Sequence, residues 1–162
     1  MRTVHWLFLC AVVLFVASVV LFVKASGASA NARIAEQATP VASVKQIMDG
    51  IVQPAARVVF GSVATISTAA GQEDRRPRTE ADWATVGASA AALMEAGNLL
   101  MMGDRLKDRD QWVTRSRAMI DAARIALRAT EARDVDALFD AGEAINLSCD
   151  MCHTRYQMPA AE

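Results

Sequence analysis

Apolar residues recur three and four positions apart along most of the chain, and that period predicts helices rather than strands. Ser43-x-x-Gln46 is a capping box that opens a first helix. Val44, Ile47, Met48, Ile51, Val52, Ala55, Val58 and Val59 follow on one face, and the helix is expected to run to about Ala70 and stop at Gly71. Pro54 lies inside it and predicts a kink, because proline lacks an N–H and clashes with the preceding turn. Gln72–Arg78, with Pro77, reads as a charged loop.

Thr79-x-x-Asp82 caps a second helix through Trp83, Val86, Ala90, Leu93, Met94, Leu99 and Leu100, with Gly103 as its terminator. After the charged linker Arg105–Asp110, a third helix carries Trp112, Val113, Met119, Ile120, Ala123 and Leu127, and ends near Glu131-Ala132-Arg133. Asp134 caps a fourth, which places Val135, Leu138, Phe139, Ala141, Ile145, Cys149 and Cys152 inward and closes at Pro159. The chain is rich in Ala and poor in Gly, and no strand alternation interrupts it. Four helices of about 18–27 residues with short connections predict an all-α fold, an antiparallel four-helix bundle over residues 43–162.

Residues 1–30 belong to a different class of sequence. A short basic start, Met1-Arg2, precedes an almost unbroken apolar run from Trp6 to Val23, and Ala28-Ser29-Ala30 fits a cleavage site before Asn31. The run is longer than an ordinary signal core and close to the length that spans a bilayer. It is therefore either a cleaved signal peptide or a retained membrane anchor acting through residues 6–23. Both readings export the rest of the chain, to a periplasmic location. Residues 31–42 are the linker to the helical domain.

Without residues 1–30 the chain has 132 residues, enough for one domain. Arg2 and Lys24 leave with that segment, so 15 basic residues face 18 acidic ones, a net charge of −3. That balance argues against a nucleic-acid partner, which needs a basic surface. Cys10 leaves as well, so the domain keeps two cysteines, Cys149 and Cys152.

Those two cysteines stand in Cys149-Asp150-Met151-Cys152-His153, the Cys-x-x-Cys-His signature of c-type haem attachment. On a helix, residues three and four apart share a face, so Cys149, Cys152 and His153 can meet one porphyrin. The thiols would form thioether bonds to the haem vinyl groups and His153 would be an axial iron ligand. Rival readings lack support. A zinc site needs about four ligands, and the only other Cys and His are Cys10 and His5, both in the apolar leader. A thioredoxin-like redox pair wants a βαβ context, and a plain disulfide leaves His153 without a role. One haem c per chain is expected.

Four helices, a haem motif on the last of them and the ending Cys149-x-x-Cys152-His153-x-x-Tyr156 resemble the class II c-type cytochromes, over about residues 40–158. That family comprises cytochrome c prime and its low-spin relatives. Cytochrome c prime members leave the iron five-coordinate under an apolar residue of the first helix; low-spin members bind a methionine of that helix as sixth ligand. Lys45-Gln46-Ile47-Met48 is similar to the Arg-Gln-x-x-Met pattern of the low-spin type, with one residue fewer between Gln and Met. The resemblance therefore implies Met48 as the second axial ligand. The chain departs from the family at Pro54 and in its tail, where Gln157, Met158 and Pro159 stand instead of basic residues.

Spacing alone leaves Met48 open between ligand and core filler. Met94, Met101, Met102 and Met119 read as core, Met151 as facing away from the porphyrin, and Lys45 as a solvated residue near Met48. Met158 is too close to His153 to reach the other face. Trp83, Trp112, Phe60 and Phe139 read as core aromatics that are also candidates for the haem edge, and Tyr156 as a rim residue. The runs Arg75-Arg76-Arg78 and Arg105-Lys107-Arg109 are solvated loops or partners for a haem propionate.

His153 is the only histidine of the domain and is already committed, so no catalytic acid–base pair is evident. The expected function is one-electron transfer between redox partner proteins, not enzymatic catalysis. The alternatives are NO or CO binding at an open iron site, and an anchored haem subunit of a respiratory or photosynthetic complex. The apolar surface of the first helix leaves room for a homodimer.

Overall fold

The computed structural model describes residues 5–6, 12–22, 24, 39–69 and 71–157. The chain divides into two units, residues 1–39 and 40–162. In the first, residues 12–22 are helical and exposed. Among the described residues no helix is long and apolar enough to cross a membrane. The cleavage site at Ala30, residues 31–38 of the linker, and Met158 and Pro159 lie outside the described residues.

The second unit is mostly helical, and a two-stranded sheet departs from the expected all-α class. Its elements are α1 (Val44–Ile47), a π turn (Met48–Val52), α2 (Gln53–Ser62), β1 (Ala64–Thr68), β2 (Gly71–Arg75), α3 (Glu80–Leu100), a 3-10 turn (Gly103–Arg105), α4 (Gln111–Ala132) and α5 (Val135–Tyr156). α3 packs on α4 and α4 on α5, while α2 lies against both α3 and α5.

Local signals account for most helix starts. Ser43 Oγ accepts from the Gln46 N–H at 3.2 Å, and Gln46 Oε1 accepts from the Ser43 N–H at 2.8 Å. Thr79 and Asp82 form the same reciprocal box on α3, and Asp134 Oδ1 accepts from the Ala137 N–H at 2.9 Å on α5. Each cap satisfies donors that a helix start otherwise leaves open.

Two sequence expectations need correction. The first helix ends at Ser62, not Ala70, and the stretch expected to be helix and then charged loop is an antiparallel hairpin pairing Ala64 with Arg75 and Thr68 with Gly71. Thr65, Ile66 and Thr68 are β-branched and favour a strand. Gly71, at φ 129°, supplies the backbone conformation of the turn. At Pro54 the expected irregularity takes a specific form. A π turn precedes it, in which the Gln53 N–H donates to the Met48 carbonyl, and Pro54 occupies the first turn of α2, where its missing N–H costs least. The second correction is Phe139, which points outward and is 51 % exposed.

The core is one cluster built from Ile47, Val52, Val59, Val86, Leu93, Leu100, Trp112, Met119, Leu138 and Ile145, filled in by many alanines. Alanine lets helices approach closely, and Gly97 takes this furthest: a Cβ there would stand 2.4 Å from Ile120 Cγ1. The entry to α1 is pinned by Arg105. It is 5 % exposed, and donates from Nε to the Ala42 carbonyl and from Nη1 to the Leu99 carbonyl, each at 2.8 Å. Beside it Gly103, at φ 58°, sits where any Cβ would fall 2.5 Å from Pro40 Cγ.

Candidate haem site

Cys149, Cys152 and His153 lie in the last two turns of α5 and line one small cavity of about 40 Å³. Its other walls are Met48 and Val52 of the π turn, Leu100 of α3, Arg115, Ser116 and Met119 of α4, and Ser148 of α5. Met48 and the attachment motif, about a hundred residues apart in sequence, thus share one space. The π turn matters here because it re-aims the side chains that follow α1. It leaves Met48 half-buried at the cavity while its neighbour Ile47 goes fully into the core.

The thiols are free and half-buried. Burial pushes the Cys149 thiol above its ordinary value. Burial also raises Cys152, the neighbouring Cys149 adds to this, and the Arg115 guanidinium opposes it. Burial thus favours the neutral thiol at both positions. His153 is exposed at the cavity edge.

The donor set fits a covalently held haem: two adjacent thiols, an imidazole on the same face, and a thioether across an otherwise largely apolar cavity. A second observation agrees. Among the described residues Arg115 Nε is buried without a hydrogen-bond partner, and Arg115 Nη1 donates to the Met151 sulfur at 3.2 Å. A buried donor of this kind calls for an acceptor. The present volume is well below that of a typical ligand pocket. Three of its walls are Met48, Met119 and Arg115, long unbranched side chains that can turn aside.

The remaining predicted residues sort clearly. Tyr156 closes the end of α5: its hydroxyl donates to the Asp108 carboxylate and its ring meets Trp112 edge-on, centroids 4.9 Å apart. Trp112 is buried and its indole N–H donates to the Leu100 carbonyl at 2.7 Å, so it supports the cavity from behind. Phe60 and Phe139 instead line an open groove between α2 and α5 that reaches Asp150 but is not lined by Cys149, Cys152 or His153. Lys45 is exposed and ion-paired with Asp49. Of the two arginine runs, Arg105 is committed to backbone carbonyls, and Arg75, at the end of β2, and Arg76 stand near Phe139.

Sequence reasoning missed Arg115 and the π turn. Arg115 carries no motif and reads as one more cation on an amphipathic helix. Pro54 was the one signal for the π turn.

No protein-family model, curated protein or solved structure matches the chain.

Proposed function

We propose that this chain is a c-type cytochrome of the class II kind, a four-helix carrier of one covalent haem c that transfers single electrons between redox partner proteins. The observation that carries the reading is that Met48 lines the same cavity as Cys149, Cys152 and His153. A haem held there supplies one-electron redox chemistry. Cys149 and Cys152 would hold it by thioether bonds, and His153 and Met48 would ligate its iron. Val52, Leu100 and Met119 keep water from that space.

The apolar run in residues 6–23 and the attachment motif together support export. The domain then works in the periplasm, either free after cleavage near Ala30 or tethered to the inner membrane. In the tethered form it serves as a haem subunit beside partners in the same membrane.

A second reading shares the site. Val52, Leu100 and Met119 make the space beside Met48 apolar. If the thioether does not reach the iron, that pocket suits a neutral diatomic such as NO or CO. An optical spectrum, oxidised and reduced, with and without CO, separates the two. Low-spin bands, a weak Met-to-ferric charge-transfer band lost in Met48→Ala, and no CO response support the electron carrier. High-spin bands that shift with CO support gas binding, and no haem absorbance from a host able to attach it overturns both.

A further inference from the structure

Arg115 is the one residue at the cavity whose chemistry is unaccounted for. It stands on α4, among Ser116, Met119, Cys152 and His153. Its Nε is buried without a hydrogen-bond partner. Its Nη1 donates to the Met151 thioether at 3.2 Å, a weak acceptor for a charged donor. Among the described residues no carboxylate forms an ion pair with it, since the ion pairs found are Lys45–Asp49, Arg124–Asp121 and Arg133–Glu80. A guanidinium remains charged at any ordinary pH. A partly buried charge without a counterion is costly unless something neutralises it.

No described residue provides that counterion, and the expected cofactor would. The haem periphery carries two carboxylates, and arginine's planar fork matches a carboxylate with two parallel N–H donors. We infer that Arg115 is the positioning residue for the haem, turning from the Met151 sulfur to one propionate and holding it with Nε and an Nη. This rests on the haem reading above. It replaces Arg105, Arg75 and Arg76 in that role, because Arg105 is already bonded and Arg75 and Arg76 stand at the end of the hairpin instead.

The consequence for the iron follows from Coulomb's law. Arg115 neutralises a propionate that would otherwise stabilise the ferric state, so its removal lowers the midpoint potential. The test compares wild type with Arg115→Gln, Arg115→Lys and the exposed neighbour Arg117→Gln. It reads the propionate bending band in resonance Raman, the midpoint potential, and covalent haem by pyridine haemochrome. Arg115→Gln is expected to shift the band and lower the potential. Arg115→Lys keeps the charge but loses the fork, so the band shifts while the potential stays near wild type. Arg117→Gln changes neither.

If Arg115→Gln does not accumulate, Arg115→Lys alone decides through the band. An unshifted band in a variant that still carries covalent haem overturns the assignment of Arg115 and leaves the haem reading intact. A wild-type chain without covalent haem overturns both.

Discussion

The Tyr156 hydroxyl donates to the Asp108 carboxylate, which ties the last turn of α5 to the linker ahead of α4. The same Asp108 caps α4 by accepting from the Trp112 N–H at 3.0 Å, and the Trp112 ring meets Tyr156 edge-on. One carboxylate thus ties the end of α5, which carries Cys152 and His153, to the start of α4.

This network has an acid signature. The Tyr156 hydroxyl, followed by the Trp112 backbone N–H, holds the Asp108 carboxyl below its ordinary value. A depressed folded value means the contribution is present above the ordinary carboxylate range and disappears as pH falls through the folded value. Tyr156→Phe is expected to lower the urea midpoint at pH 7. It should also flatten the loss of stability below about pH 4. Parallel acid slopes in variant and wild type would show that the bond contributes nothing to folding.

Trp112 supplies a second check. Its indole N–H is buried and bonded to the Leu100 carbonyl. Trp112→Phe keeps an aromatic ring but leaves that carbonyl without its partner, a loss of about 1–3 kcal/mol. Trp112→Ala adds a cavity and should cost about 3–5 kcal/mol. Chemical denaturation of both variants measures the difference.

Met48 can be tested as a ligand apart from its packing. Met48→Leu conserves volume and should cost under about 1.5 kcal/mol in stability. It removes the thioether entirely, so the low-spin spectrum is expected to convert to high-spin and to respond to CO. A filler residue would give the small stability change and an unchanged spectrum.

Two glycines predict opposite signs. Gly97→Ala places a methyl 2.4 Å from Ile120 Cγ1 and 3.1 Å from the Ser116 carbonyl. Overpacking of about 1–3 kcal/mol outweighs the gain in helix propensity of about 1 kcal/mol. Gly50→Ala meets nothing within 4 Å and should stabilise by about 0.5–1 kcal/mol through the unfolded chain. Thermal unfolding of the pair, one lowered and one raised, checks both.

Arg105 offers a test of how the Met48 segment is held. Its two bonds to Ala42 and Leu99 pin the chain entering α1. Arg105→Met leaves both carbonyls open, each costing about 1–3 kcal/mol. Hydrogen exchange should rise at the start of α1 more than in α5.

Helices α3, α4 and α5 were legible because their causes are local. Caps at Thr79 and Asp134, and apolar residues at helical spacing, lie within a few positions of what they determine. The grouping of Cys149, Cys152 and His153 was legible for the same reason, since the three fall on one helical face by spacing alone. The hairpin was less so. Thr65, Ile66 and Thr68 form a short β-branched run inside an apolar stretch, and only pairing with Gly71–Arg75 decides between strand and helix. Phe139 fell on the predicted inner stripe, but the open groove between α2 and α5 leaves it exposed. By itself the sequence determined that most of the domain is helical and that Cys149, Cys152 and His153 stand three and four residues apart on its last helix, with Met48 as a candidate partner. Only the tertiary structure decided that Met48 and that motif line one cavity, and that Arg115 enters it with an unpaired N–H. Those relationships join residues tens to a hundred positions apart, and they depend on how helices pack rather than on any period along one of them.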